Sequence, residues 1–562
     1  MGSYMRGNSI FNQKKNSIIA LLLMLVMTAT GCAATEVAEV AAPEVVFEPA
    51  SIEDLDLEEP EQEPEVTASE IVRGIPSEVG IHDECIALIE DIIETDIEYG
   101  FTSAQLSIIK DDKLVYENAW GKLCSYNQDG SVKEDSPAVT TDTLYDLASV
   151  SKMFGVNYAI QKMVTDGQMD ISSKLVDVLG PEFAEDTIDI QYEGGTGADL
   201  ETQKNWKAQL KISDLLKHQG GFPADPRYGN PNVDQVTQKY DPSYTNILFS
   251  SHEANEDAKA LTYECICKTP LLYEPGTKTV YSDVDYMILG FVVEKIAGVN
   301  LDTYIKENFC EPLGLTHITY NPLQNGFSKE DCAATELNGN TRDGYIFHDG
   351  IRTETIQGEV HDEKAYYCMG GVSGHAGLFS NATDIARLAN VMLTGKCGDI
   401  EFFSKEVIDE FTAPVSSDNK KWGLGWWRQG DMERTKYFGS KAGSGTFGHQ
   451  GWTGTLVMID PEKKLVIAIL TNKVNSPVTN KKSNANKFNG NWYTTANLGF
   501  VSEILYIGMD EDRNVKEELI QCCESMRDSA EEAIKKKMSE DHPARKNLAS
   551  KEAVLEHLKE GK

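Results

Sequence analysis

The sequence Thr143-Leu-Tyr-Asp-Leu-Ala-Ser-Val-Ser-Lys-Met153 passes from a strand-like segment into a run with apolar residues at helical spacing. This pattern predicts a helix from Ser149 to about Thr165. Residues three apart on a helix share a face, so the amine of Lys152 lies within reach of the Ser149 hydroxyl and can accept its proton. The stretch therefore predicts a nucleophilic serine at a strand-to-helix turn.

Two other Ser-x-x-Lys sequences lack this context. Ser107 lies in a run of alternating apolar residues, which predicts a strand whose positions i and i+3 face opposite sides of the sheet. Ser417 lies in a polar loop with nothing to fix the geometry of a pair. Two further motifs follow the first in order, Tyr281-Ser-Asp283 and His449-Gln-Gly451. Together the three motifs predict an active-site serine enzyme.

The folded region has strand patterns near both of its ends. An amphipathic helix over about Cys85–Tyr99 precedes a hairpin of Ser103–Ile109 and Lys113–Trp120, and a second strand pair is predicted at Gly454–Ile459 and Lys464–Leu470. Helical patterns dominate between them. We therefore expect an α+β fold in which an antiparallel β-sheet, flanked by helices, carries an inserted all-helical subdomain.

Several motifs carry a family resemblance. The strings are Leu147–Lys152, Ile212–His218, Glu274–Gly276, Tyr281–Asp283 and Gly448–Gly454. Over about residues 76–509 they resemble the class C β-lactamase and penicillin-binding protein superfamily, which implies the β-lactamase/transpeptidase-like fold. Two more strings, Val360–Ala365 and Gly370–Ser380, are similar to the penicillin-binding protein 4B branch and imply a D-Ala-D-Ala carboxypeptidase.

The resemblance implies acyl transfer with definite roles. Ser149 would attack a carbonyl, and Lys152, kept partly neutral by burial and nearby charge, would share its proton. Tyr281 would relay protons, which requires cations to hold its phenolate because a free tyrosine has a pKa of about 10. The backbone N–H groups of Ser149 and Trp452 would form the oxyanion hole. No cofactor is implied.

The sequence departs from the family pattern at two of the substrate-binding positions, which are Asp283, His449 and Gly451. Asp283 stands where Asn is usual, and its charge would disfavour an anionic substrate. His449 stands where Lys is common, so we expect a weaker, pH-dependent anchor for a substrate carboxylate. Relatives with His at this place include esterases and aminopeptidases, which leaves the substrate class open.

Other polar candidates have plainer interpretations. His375 lies in a glycine-rich segment and is interpreted as part of a tight backbone crossing, with a place in the cleft as the alternative. His218 is interpreted as a core or capping residue, and Asp362 and Glu363 as solvated acids. The histidines show no metal-ligand spacing, so no metal site is predicted. Most cysteines are interpreted as buried small hydrophobes.

The N-terminus resembles a bacterial lipoprotein signal over residues 1–32. Basic residues precede the short apolar run Ile18–Val26, and small residues precede Cys32, which we expect to be lipidated. An ordinary signal peptide is the alternative. Residues 33–75 are predicted to form an acidic, proline-rich tether, because 33–72 holds 13 acidic and no basic residues.

The remaining divisions are a hydrolase domain at 76–509 and a charged helical tail at 510–562, interpreted as a solvated surface helix or helix pair. The net charge of −37 argues against nucleic-acid binding. We therefore expect an exported, membrane-anchored serine hydrolase on the extracytoplasmic face that acts on peptidoglycan peptides and binds β-lactams. The alternatives are an esterase or cell-wall amidase, and a sensor lipoprotein that acylates without turnover.

Overall fold

The computed structural model describes residues 71–251, 253, 256–509, 514–539 and 542–561. The predicted signal peptide, Cys32 and nearly all of the tether lie outside the described residues, so those predictions stay as they are. The described residues all belong to one unit, Glu65–Lys562.

The strands are β1 Val72–Arg73, β2 Ser103–Lys110, β3 Lys113–Gly121, β4 Tyr145–Asp146, β5 Val233–Asp234, β6 Lys239–Tyr240, β7 Ile318–Tyr320, β8 Leu378–Ser380, β9 Lys396–Cys397, β10 Ile400–Glu401, β11 Trp427–Arg428, β12 Phe447–Gly451, β13 Thr455–Asp460, β14 Leu465–Thr471, β15 Val478–Asn480 and β16 Asn484–Phe488. The α-helices are α1 Asp83–Glu98, α2 Tyr158–Thr165, α3 Leu175–Leu179, α4 Glu182–Glu185, α5 Leu200–Gln209, α6 Ile212–Leu216, α7 Glu256–Lys268, α8 Asp283–Ala297, α9 Leu301–Ile305, α10 Glu311–Leu313, α11 Glu363–Met369, α12 Ala382–Thr394, α13 Lys405–Thr412, α14 Thr435–Phe438, α15 Phe500–Gly508, α16 Val515–Lys537 and α17 Ala544–Glu560.

The main sheet has seven strands in the order β1-β3-β2-β14-β13-β12-β11. Its pairings are antiparallel except at one edge, where β1 runs parallel to β3. Asp111 and Asp112, which join β2 to β3, both have positive φ, as a tight hairpin turn of primed type requires. The predicted fold class, with its sheet completed by distant parts of the chain, is confirmed.

Helices cover both faces of this sheet, so its central strands are buried throughout. On β13, Val457 and Ile459 belong to one hydrophobic core, whereas Leu456 and Met458 belong to another on the opposite face. The first core contains α2, α8 and α12, and the second contains α1 and α15. Alternate residues of the central strands thus pack into two different hydrophobic cores, one on each face of the sheet.

The regular secondary structure between β3 and β11 is mainly helical, as predicted, and the segment also contains small sheets. The pairs β5–β6 and β9–β10 and the three-stranded sheet β4-β8-β7 lie there. The last of these positions the site, because β4 pairs with β8 immediately before the Ser149 turn.

In the structure, the folded region extends beyond both bounds of the predicted hydrolase domain, 76–509. Strand β1 lies inside the range given to the tether. The tail is not a solvated appendage, because Leu519 and Cys523 of α16 and Val554 and Leu555 of α17 are buried in the core shared with α1. Within the described part of the chain, no helix combines the length and apolarity needed to span a bilayer.

Candidate active site

Ser149 is half-buried on a short 3₁₀ turn, Ala148–Val150, that follows β4. Ala148 has φ of 47°, a left-handed conformation that an alanine adopts only when its surroundings impose it. The imposing group is Asp146, whose buried carboxylate accepts hydrogen bonds from the Ala148 N–H at 2.8 Å and the His361 N–H at 2.6 Å. Asp146 therefore holds the nucleophile's turn, a role that the motif alone did not indicate.

The helix after Ser149 is not regular from its start. Residues Lys152–Asn157 form a π-helix, and α-helical geometry begins only at Tyr158. Wider turns of this kind occur frequently at functional sites. The predicted single helix to Thr165 is thus divided, but Lys152 still faces Ser149, with its Nζ 3.2 Å from the serine Oγ.

Lys152 is fully buried, and three acceptors surround its ammonium group. Its Nζ donates to Ser149 Oγ, to Asp283 Oδ1 at 2.8 Å and to the His375 carbonyl at 3.0 Å. Burial by itself lowers the pKa of Lys152, but the Asp283 carboxylate, joined by Tyr281 at the alkaline pH that ionises it, outweighs burial and holds this pKa above its usual value. The expectation of a partly neutral Lys152 is therefore wrong for the resting protein.

Tyr281 lies beside this pair, with the Lys152 Nζ 4.8 Å from the centre of its ring. Burial raises the pKa of Tyr281, and Asp283 raises it further, whereas Lys152 and a hydrogen bond with Ser149 lower it. The pKa stays above its usual value, so the phenol is protonated at neutral pH. Both candidate bases thus carry their protons in the resting state.

Asp283 begins α8 and bridges two lysines. One carboxylate oxygen accepts from Lys152, and the other lies 3.2 Å from the Nζ of Lys364, which also contacts Asp225 at 2.5 Å. Burial raises the pKa of the Asp283 carboxyl, but the two lysines outweigh it and hold the pKa well below its usual range. Asp283 is therefore the counter-ion of the site rather than a free charge facing the substrate.

His375 and Asp362 complete this network. His375 Nε2 lies 2.8 Å from Asp362 Oδ1, and its Nδ1 lies 2.7 Å from Ser373 Oγ. The interpretation of Asp362 as a solvated acid is wrong. The interpretation of the His375 segment as a tight backbone crossing holds, because a Cβ at Gly374 would lie 2.1 Å from the Tyr286 carbonyl oxygen, and the buried His375 also joins the network. The two strings that resemble the 4B branch, Val360–Ala365 and Gly370–Ser380, were the signal that could have found them.

Asp283, Asp362 and His375 place their ligand atoms within 4.8 Å of one another, as a metal site requires. However, Lys152 and Lys364 lie among these groups and already neutralise both carboxylates. A divalent cation would have to displace or face two ammonium groups. The donor set fits an ion-pair network better than a metal site.

His449 lies on β12 with its ring fully buried against Trp427, at 4.8 Å between ring centres, and near Tyr281 at 6.1 Å. Its Nδ1 lies 2.8 Å from the Gln450 carbonyl. Burial and the charge of Lys152 hold the pKa of His449 well below its usual value. The expectation of a pH-dependent cationic anchor is therefore wrong, because burial and Lys152 both favour the neutral ring.

Gly451 brings the end of β12 against the serine's turn. A Cβ at this position would lie 2.3 Å from the Leu147 carbonyl oxygen, so only glycine permits the approach. The approach carries the backbone of Trp452 towards Ser149, while the indole stacks on His361 with ring centres 4.8 Å apart. The oxyanion hole of Ser149 and Trp452 stays a prediction.

The outer edge of β12 is only partly covered. Strand β11 pairs with Phe447 and Gly448, and no other described strand continues along His449, Gln450 and Gly451. Their free edge can accept an extended peptide as a further strand. A substrate bound this way would pass directly in front of Ser149.

A serine on a strained turn, with a lysine and a tyrosine against it and a free strand edge in front, defines the class of active-site serine hydrolases. The beta-lactamase family model matches residues 87–490. This chain therefore belongs to the beta-lactamase family of serine hydrolases, which includes the penicillin-binding proteins.

Two curated relatives share most of the chain, and both are named "Putative D-alanyl-D-alanine carboxypeptidase". The protein of Escherichia coli strain K12 is 43% identical over 443 residues, which cover 78% of this chain and 94% of the relative. The protein of Salmonella agona strain SL483 is 43% identical over 433 residues, which cover 77% and 92%.

Solved structures share the fold at lower identity. EstCE1, a hydrolase with promiscuous acyltransferase activity, has a TM-score of 0.52 at 18% identity and covers 75% of this chain and 99% of its own. A penicillin-binding protein homologue from Caulobacter crescentus has a TM-score of 0.51 at 18% identity and covers 78% and 100%.

Proposed function

We propose that this protein is a D-Ala-D-Ala carboxypeptidase that removes the terminal D-alanine from peptidoglycan stem peptides and is acylated by β-lactams. The two relatives of that name, which match over 94% and 92% of their own length, carry the proposal. The approach of Lys152 Nζ to Ser149 Oγ and the free edge of β12 support it.

The reaction begins from a resting state in which Lys152 and Tyr281 are both protonated. Loss of one proton from this pair creates the base. Ser149 Oγ then bonds to the carbonyl carbon of the penultimate D-alanine while its proton passes to the pair. The C–N bond breaks, the pair returns the proton to the departing amino group, and water hydrolyses the ester by the same route in reverse.

Incubation of the protein with purified muropeptides, followed by mass spectrometry, tests this activity. We expect pentapeptides to lose one D-alanine, and we expect Ser149→Ala to abolish both this loss and labelling by a fluorescent penicillin. Ser417→Ala is the matched control, because it removes the serine of an exposed Ser-x-x-Lys sequence. Release of the whole peptide would identify an amidase, and turnover of esters alone would identify an esterase.

The esterase alternative rests on one observation. The neutral, buried His449 removes the cation that would hold a substrate carboxylate beside the serine. The binding of a neutral acyl substrate would not be weakened by the absence of that cation. Kinetics on a neutral ester and on a carboxylate-terminated peptide separate the two activities.

We further propose that the protein is exported and anchored by lipid at Cys32. The basic flank, the short apolar run and the small residues before Cys32 support this, and the acidic tether would extend the domain up to about 100 Å from the bilayer. Cys32→Ser should move the cellular protein from the detergent phase to the aqueous phase or block its processing, whereas Cys397→Ser should not. Equal membrane retention of both variants would refute the anchor.

A further inference from the structure

The cations at the reactive serine are all committed to partners. Lys152 donates its three N–H groups to Ser149, Asp283 and the His375 carbonyl, and Lys364 is paired with three carboxylates. His449 is neutral. A substrate with free carboxylates therefore finds no unpaired cation among these residues, and any recognition of its charge has to come from elsewhere.

A cluster of lysines without acidic partners lies on the face of β12 opposite to His449. Gln450 and Trp452 line a cavity of about 200 Å³ together with Lys436 and Lys473. A larger cavity of about 820 Å³, beneath α16 and α17, shares both lysines and adds Lys487. The two cavities thus form one recess that begins beside the active-site strand. Glu503 and Glu518 also line the larger cavity, where they contact Ser440 and Lys441, so the basic part of the recess is the part around Lys436, Lys473 and Lys487.

The lysines Lys436, Lys473 and Lys487 repel one another and have no acidic partner. Among the described residues, no carboxylate lies within ion-pair distance of them, although the chain has 89 acidic and 52 basic residues. Burial and the charges of Lys436 and Lys487 lower the pKa of Lys473 to about 8. Three uncompensated ammonium groups in a strongly acidic protein are the composition expected of an anion site.

The recess is adjacent to the turn that carries Ser149. Gly451 contacts Leu147, and its neighbours Gln450 and Trp452 face the recess. Side chains of an extended peptide alternate between the two faces of a sheet. A substrate strand on the free edge of β12 would therefore point one set of side chains towards Tyr281 and the other set towards Lys473.

We propose that Lys436, Lys473 and Lys487 form a specificity subsite that binds a free carboxylate of the substrate's stem peptide. The assignment of the ligand to a stem peptide rests on the proposed function. A peptide carboxylate fits better than an anionic wall polymer, because the recess opens beside the strand edge that would hold the peptide and the net charge of −37 repels extended polyanions.

Direct binding tests the subsite without turnover. Titration calorimetry on the Ser149→Ala protein would compare a stem peptide that has a free side-chain carboxylate with the same peptide amidated at that group. We expect the carboxylate peptide to bind more tightly, and we expect Lys473→Gln or Lys487→Gln to weaken it about 10-fold without affecting the amide. Lys441→Gln, which removes a lysine already paired with Glu518 at 3.3 Å, is the matched control and should change neither.

Each outcome has a defined meaning. Equal binding of the two peptides, or a carboxylate preference that survives both lysine variants, overturns the subsite. Lysine-dependent binding of a poly(glycerol phosphate) in place of the peptide also overturns it and identifies a phosphate polymer as ligand. Lysine-dependent peptide binding without release of D-alanine by the Ser149 enzyme upholds the subsite and refutes the carboxypeptidase. Thermal unfolding of every variant excludes loss of fold as the cause.

Discussion

Replacement of Asp283 by Asn should shift the pH dependence of serine acylation to lower pH. The carboxylate lies 2.8 Å from the Lys152 Nζ and raises the pKa of both Lys152 and Tyr281. Whichever of the two accepts the serine proton, it must first lose its own. In the natural protein the rate should therefore rise with pH through neutrality and into the alkaline range.

The size of the effect follows from the ion-pair distance. Two unit charges at 2.8 Å interact by about 6 kcal/mol at an effective dielectric constant of about 20, which corresponds to about four pKa units. Even a quarter of this interaction moves the ascending limb of the plot of acylation rate against pH by about one pH unit. We therefore expect a shift of at least one unit towards acid in Asp283→Asn.

Stopped-flow acylation by a fluorescent penicillin between about pH 6 and pH 9.5 measures the limb, because the labelled step is the attack of Ser149 itself. Asp225→Asn is the matched control, since this exposed carboxylate pairs with Lys364 but not with Lys152, and it should shift the limb much less. Coincident limbs for Asp283→Asn and the natural protein would show that Asp283 does not set the protonation of the base.

Four further outcomes follow from the geometry. Gly451→Ala should slow acylation at least ~10²-fold, with the circular dichroism spectrum retained, because the added Cβ meets the Leu147 carbonyl and displaces the oxyanion strand. The kcat/KM profile should show no inflection near pH 6.5, because the pKa of His449 lies well below that value; an inflection that disappears in His449→Gln would contradict this. Lys473→Met should stabilise the ligand-free protein at pH 7 by about 3 kcal/mol, and thermal melts should show the gain vanish between about pH 8 and pH 10.5, since only above its lowered pKa does the natural lysine lose its unfavourable charge. Removal of residues 510–562 should expose the core shared with α1, so a soluble fragment with unchanged melting temperature would show that the tail is dispensable.

Local patterns predicted the parts of this fold that depend on local sequence. The hairpin β2–β3, the pair β13–β14 and helix α1 lie within a few residues of the predicted bounds, because each has a clear apolar period and a recognisable turn. The depth of the tail's packing could not be predicted in this way. The pattern of α16 is that of an ordinary surface helix, and its burial depends on α17 and α1 folding against it.

The site shows the same division between local and long-range information. Motif spacing brought Ser149, Lys152 and Tyr281 to attention, and the structure brings them together. Motif spacing could not predict the charge states of these residues, because those states depend on contacts between distant segments. Lys152 stays protonated because Asp283 reaches it from 131 residues away, and no motif encodes that distance.

Two replacements relative to the family pattern change the electrostatics of this site in the same direction. Asp283 in place of Asn adds a negative charge, and His449 in place of Lys removes a positive one, so the centre becomes more negative by two units. Lys364 offsets part of this change through its contact with Asp283, but it leaves no cation free for the substrate. A carboxylate substrate then requires attraction from beyond the centre. On the proposed function, the lysines around Lys473 lie where a peptide on β12 would find that attraction, so the subsite would supply the charge recognition that Asp283 and His449 do not.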